Sequence, residues 1–292
     1  MNKNLLMALL LVLVSFVWAG SFLVVEVATK EMDPIDLGFL RFLVATPLML
    51  LLVVLRKKPL TIPRRELPWL VILGLTGVTF LYLFQFIGIH YTNAPTASVL
   101  INTNVIFIAI LSGLFLYEAL TGKRIAGIVL SFIGVIIIMV SDIQRQEWTL
   151  DNLFFIGMIL MLLSAFCWAL YSFIGKRLLE TYDEFVITAY AFSFGTLLYV
   201  PFVALDLQFM LQHTSMSGWL AVLYLALTCT LFGYLGWYYA LKHIDASKAA
   251  VFLNFIPLFT ILMSVFLGAS LSWFFLLGAG LIIYGVYLTQ KT

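Results

Sequence analysis

Long apolar runs, each closed by a short cluster of Lys, Arg, Asp, Asn or Pro, follow one another along the whole chain. A helix needs about 20 mostly apolar residues to cross the hydrocarbon of a bilayer. Ten runs approach or reach that length: 5–28, 35–55, 68–90, 94–116, 124–141, 153–176, 184–205, 217–241, 246–268 and 272–289. They are continuous, and about twice as long as the roughly 10-residue alternating segments of a transmembrane β-barrel. The pattern predicts an all-α integral membrane protein of ten transmembrane helices, with no soluble domain between them. The first run has Lys3 before it and Ala19-Gly20-Ser21 inside it, the outline of a secretory leader and its cleavage site. Yet the run continues through Val27, and its pattern recurs mid-chain, so a retained first span is expected.

Composition then removes whole classes of function. Of 292 residues, 63% are hydrophobic and 10% charged, against about 45–50% apolar and 25% charged in soluble domains. Cytosolic enzymes, nucleic-acid binders and disulfide scaffolds are excluded, and the bilayer itself is the first partner. The net charge of +2 implies no anionic macromolecule. Cys167 and Cys229 lie inside apolar runs and read as small core residues. His90, His213 and His243 sit at span ends or in connections without ligands at helical spacing, so neither a metal nor a cofactor is expected.

The basic residues set the orientation. With the N-terminus inside, thirteen Lys and Arg fall on the cytoplasmic side, and only Lys30 and Arg145 fall outside; Arg41 lies within the second span. One span more or fewer would abolish this split. It predicts a multi-pass protein of the cell inner (cytoplasmic) membrane with both termini cytoplasmic.

The two halves repeat one another. Trp18-Ala19 and Trp168-Ala169 are 150 residues apart, Tyr82 and Tyr234 152, Asn102 and Asn254 152, Gly134 and Gly285 151. The predicted units are 1–146 and 147–292, five spans each, within a single membrane domain. An odd number of spans makes the second unit enter from the opposite face, giving an inverted-topology repeat. Such repeats are the usual architecture of alternating-access transporters, with the site near the midplane between halves.

At these residues the chain resembles the drug/metabolite transporter superfamily, in its ten-span EamA-like branch. The resemblance spans essentially the whole chain. It rests on Trp18-Ala19-Gly20-Ser21, Ala97-Ser98-Val99-Leu100, Leu116-Tyr117-Glu118 with Lys123-Arg124, Trp168-Ala169-Leu170-Tyr171 with Lys176-Arg177, and Ala249-Ala250-Val251 through Pro257-Leu258-Phe259. Two positions depart from the family pattern. Span 4 has Val105 where span 9 has Pro257, and the second repeat ends in Gly268-Ala269-Ser270 instead of Gly-Glu. The resemblance implies a cavity lined by spans 1, 3, 4, 6, 8 and 9, and export of small metabolites such as amino acids.

Polar side chains within spans must be satisfied inside the bundle, so those on the same six spans are the candidates. Trp18, Tyr82, Gln85, Asn102, Trp168, Tyr171, Tyr234, Trp237 and Asn254 form stripes at helical spacing. Aromatic rings with polar tips and amides that both donate and accept suit small amphipathic solutes. Packing between helices, an interfacial belt or interhelical hydrogen bonding would account for the same residues. Ionisable groups within spans are costly and functional by default. Arg41 lies about 10 Å from the outer end of span 2, where it meets Glu26, a substrate carboxylate, or the headgroups by snorkelling. Glu26 is the candidate proton carrier, with a pair to Lys30 as the plainer account. Glu118 with Lys123 and Arg124 reads as a loop anchor.

The leading function is a secondary transporter moving a small organic solute by alternating access, probed against proton-coupled antiport, a channel and an intramembrane enzyme. The histidines are peripheral, no acidic metal-binding cluster lies within the spans, no filter segment appears, and no Walker motif is present. Monomer and homodimer both remain open. If the charge split sets the topology, single cysteines at Leu60→Cys and Glu180→Cys will label only from the cytoplasmic side of intact cells; labelling of either from outside overturns it.

Overall fold

The computed structural model describes residues 3–143, 152–203, 214–266, 268 and 273–291, and among these it is helical throughout, with no strand. Ten helical elements follow in order: α1 Lys3–Ala28, α2 Pro34–Leu55, α3 Arg64–Tyr91, α4 Ala94–Phe115, α5 Gly122–Ile143, α6 Asn152–Leu178, α7 Glu184–Phe202, α8 Met216–His243, α9 Ala246–Phe266 and α10 Trp273–Gln290. Eight of them are long and apolar enough to cross a membrane, and α10 contributes the shorter apolar stretch Leu276–Gln290. The 146/147 boundary between the expected units, and the ends of the expected spans at 204–205 and 272, lie outside the described residues.

Helix starts follow from local chemistry. Asp33 and Asp183, 150 residues apart, cap α2 and α7 by accepting from the N–H groups of Ile35 (2.7 Å) and Phe185 (3.0 Å). Asn93 caps α4 by accepting from Thr96 N–H at 2.9 Å.

The packing is pseudo-twofold. α2 lies on α7 and α5 on α10; α1–α9 is matched by α4–α6, α3–α6 by α1–α8, and α3–α7 by α2–α8. Equivalent residues meet each other across the axis. Thr46 and Thr196 hydroxyls are 2.8 Å apart, the Tyr234 and Tyr82 hydroxyls are 3.1 Å apart, and the Trp18 and Trp168 rings meet edge to face at 5.1 Å. The axis inverts the second half. Glu26 near the C-terminal end of α1 accepts from Ala94 N–H at the start of α4 (3.1 Å). At the opposite end, Glu118 just beyond α4 accepts from Ala246 N–H (2.6 Å) and Ser247 N–H (3.0 Å) at the start of α9.

That second end also carries the ionic ties. Lys58 reaches Asp183 (2.7 Å), Lys242 reaches Glu184 (2.7 Å), and Arg124 reaches Asp245 (2.9 Å) and Ser247 (3.0 Å). The Asp183 carboxylate, by hydrogen bond and charge, holds the Lys58 ammonium above its ordinary value. Glu118 thus does anchor the connection, through backbone N–H groups of α9, while Arg124 holds Asp245.

Four helices are not continuous, which the run lengths alone did not predict. α3 and α8 each widen into a π turn, at Leu75–Thr79 and Leu225–Phe232. In each, a threonine hydroxyl is held by a backbone carbonyl: Thr79 donates to Gly195 O on α7 (2.9 Å), and Thr230 reaches back five residues to Leu225 O (2.8 Å). α4 breaks between Ile101 and Asn104, where the Asn102 amide donates to Ser98 O at 2.5 Å and takes the carbonyl that a helical N–H would use. α9 runs as a 3₁₀ turn over Val251–Asn254 just before Pro257, which has no N–H for Leu253 O. The two repeats therefore break at equivalent places by different chemistry, and Val105 is no obstacle to the break in the first.

α5 and α10 cross on glycines. A Cβ at Gly285 would lie 2.5 Å from Gly127 O, and one at Gly134 would lie 2.6 Å from Gly278 O, whereas one at Gly280 meets open space. Close backbone approach of this kind drives association in lipid. Gly285→Ala should lower the melting temperature in detergent, while Gly280→Ala on the same helix leaves it unchanged or raises it; equal effects would contradict the crossing.

Candidate functional site

A narrow cavity of about 40 Å³ opens between the two halves, room for a few waters and well below the volume of an open small-molecule site. It is lined from α1 by Trp18, Ser21 and Phe22, from α2 by Arg41, from α3 by Leu81, Tyr82 and Gln85, from α4 by Ile101 and Asn104, from α6 by Trp168, and from α9 by Leu253 and Ile256. The discontinuities described above hold its walls. Where α3 widens, Gly77 O accepts from Tyr234 OH at 2.5 Å; where α8 widens, Cys229 O accepts from Trp18 Nε1 at 2.9 Å. Carbonyls that a regular helix would consume internally thus fix two aromatic tips.

The expected site residues divide into a lining and a backing. Trp18, Tyr82, Gln85, Trp168 and Arg41 line the cavity. Tyr171, Tyr234 and Trp237 stand outside that lining. Tyr171 stacks on Trp168 at 5.4 Å and on Tyr238 at 4.9 Å, Tyr234 meets Trp168 edge to face at 5.5 Å, and Trp237 Nε1 donates to Ser172 Oγ at 3.2 Å. Asn254 is also outside it, donating Nδ2 to Ser131 Oγ on α5 at 2.8 Å, and Asn102 is occupied at the break in α4. Asn104, one helical step from the break, takes the lining position instead. The break rotates the face that a continuous helix would present, and this is why periodicity selected its neighbour.

Glu26 caps α4 at Ala94 N–H instead of pairing with Lys30, and is outside the lining. Arg41 neither pairs with Glu26 nor snorkels, being 1% exposed. Its Nε donates to Thr230 Oγ1 on the α8 π turn, its Nη2 donates to Tyr82 OH at 3.0 Å, and its guanidinium carbon lies 4.1 Å from the Tyr82 ring centre. Among the described residues no carboxylate comes within 4.0 Å of it, and no cluster of three His, Cys, Asp or Glu offers a metal site.

Comparison with known proteins adds the lineage. The model of the EamA-like transporter family matches twice, over residues 5–140 and 155–290. An uncharacterized transporter of Archaeoglobus fulgidus is 39% identical over 96% of this chain and 96% of its own. A probable amino-acid metabolite efflux pump of Salmonella typhimurium is 27% identical over 96% of this chain and 93% of its own. A solved crystal structure aligns with a TM-score of 0.75 over 100% of this chain and 97% of that one at 17% identity, which shows a shared fold.

The division into lining and backing has its own test. Asn254→Ala should destabilise the protein by about 1–3 kcal/mol, the usual cost of stranding a buried partner, and leave KM for any transported solute unchanged. A raised KM with unchanged stability would move Asn254 into the site.

Proposed function

The chain belongs to the EamA-like transporter family, and from that premise we propose that it moves small amphipathic metabolites, amino acids and their relatives, outward across the cytoplasmic membrane by alternating access. The observation that carries this reading is the cavity on the seam between the halves, with the symmetry pair Trp18 and Trp168 meeting at its wall. Two inverted halves can exchange conformations, so that a site between them faces each side in turn. Aromatic rings supply broad apolar contact to a solute body, and Gln85 and Asn104 supply amide donors and acceptors to its polar end. The basic residues gathered at the end that holds Lys58, Arg124 and Lys242 favour a cytoplasmic assignment for that end. The Salmonella relative's designation supports amino-acid-like cargo and efflux.

A cycle without a proton-carrying acid is favoured over proton antiport, because the lining residues include no Asp or Glu. Solute movement would then follow its own gradient or exchange against another solute.

In proteoliposomes, Trp168→Ala and Gln85→Ala should each cut amino-acid counterflow by about tenfold, the worth of one good contact or hydrogen bond, with folded yield and melting temperature retained. Wild-type rates in both variants would remove them from the site and the seam from the pathway.

A further inference from the structure

The cavity is asymmetric where the fold is not. At the offsets that relate the two repeats, Arg41 corresponds to Ala191, Gln85 to Trp237 and Asn104 to Ile256. These three polar lining groups come from the first repeat, and their counterparts are apolar or aromatic. Packing that obeyed the pseudo-twofold axis alone would not require an arginine on one side and an alanine on the other.

Arg41 is also incompletely used. A guanidinium has five N–H donors and no acceptor. Two are taken, by Thr230 Oγ1 and Tyr82 OH, and both acceptors are neutral. The remaining three have no protein acceptor among the described residues, although the side chain is buried and lines the cavity. A lone cation within a span is costly unless paired, and the fork geometry of a guanidinium matches two carboxylate oxygens. Thr230 and Tyr82, with the Tyr82 ring beneath, fix the fork without neutralising it. Two further polar atoms at the lining are unsatisfied, Asn104 Oδ1 and Trp168 Nε1.

We propose that Arg41 is the anion anchor of the cavity, and that its ligands are small monocarboxylates whose apolar or aromatic body lies against Trp18, Phe22 and Trp168. The carboxylate would complete the guanidinium's hydrogen bonding and cancel its charge. Asn104 Oδ1 provides an acceptor for an α-ammonium group, so that amino acids and simple organic acids belong to one ligand class. The proposal rests on the transporter reading above and names the head group its substrates share.

The test compares each acid with its amide. Binding of 3-phenylpropionate against 3-phenylpropionamide, and of L-leucine against L-leucinamide, is read by tryptophan fluorescence and by melting temperature of the purified protein. Each acid should bind roughly 10- to 100-fold more tightly than its amide, the usual worth of charge-assisted hydrogen bonds. Arg41→Gln should erase the difference, and Arg41→Lys, which keeps the charge but loses the fork, should retain part of it. A purely structural arginine would change the melting temperature of the ligand-free protein and leave the preference intact. Should Arg41→Gln fail to fold, the wild-type preference and Arg41→Lys still decide. Amides binding as tightly as acids, an unchanged preference in Arg41→Gln, or no binding of any of the four probes would overturn the anchor. Acids that bind but are not carried into proteoliposomes would overturn the transporter reading alone; amides carried as fast as acids would overturn the anchor alone.

Discussion

In a bilayer a backbone carbonyl or N–H released from its helix must find a partner inside the protein, and the central features of this structure are consequences of that constraint. The π turns of α3 and α8 and the breaks in α4 and α9 free backbone groups within the helices. Gly77 O and Cys229 O are then satisfied by Tyr234 OH and Trp18 Nε1. The irregular backbone is therefore confined to the seam of the bundle, and it orders the aromatic side chains there. Removing the interruptions would leave two straight-helix bundles with no reason to hold a cavity between them.

The same constraint explains why one cation can be tolerated. Arg41 is placed on α2, and its two acceptors lie on α3 and α8, the two helices that carry π turns. Three helices from both repeats thus converge on one guanidinium. Its desolvation is offset in part by neutral hydrogen bonds and by the Tyr82 ring, and the unneutralised remainder is directed into the space a solute would occupy. The group that ties the halves together is also the one with unused donors.

Much of this could be read from the sequence, and the parts that could not share a cause. The ten apolar runs match the observed helices closely, because length and apolar composition are strong signals in lipid. The pairs Trp18/Trp168 and Tyr82/Tyr234 revealed the repeat and do meet across the axis. The site itself was half legible. Periodicity assumes an unbroken helix, so it selected Asn102 and Asn254, whereas Asn102 forms the break and Asn254 is tied to Ser131. Asn104 was passed over for the same reason. Arg41 was conspicuous as a charge inside a span, but only the packing shows that Glu26 serves α4 and that the arginine turns inward. A usable signal was present in the sequence nonetheless: Arg41, Gln85 and Asn104 are polar positions whose counterparts in the second repeat, Ala191, Trp237 and Ile256, are apolar or aromatic.

On the function proposed above, the seam between the inverted halves is a pathway selective for small carboxylated, amphipathic solutes. Counterflow in proteoliposomes loaded with a mixed metabolite pool, with the exchanged species identified by mass spectrometry, tests it most directly. Monocarboxylates with apolar or aromatic side chains should exchange, and neutral and cationic solutes of the same size should stay behind. Exchange of cations or neutral polar solutes in preference to carboxylates, or no exchange of any component, would contradict it.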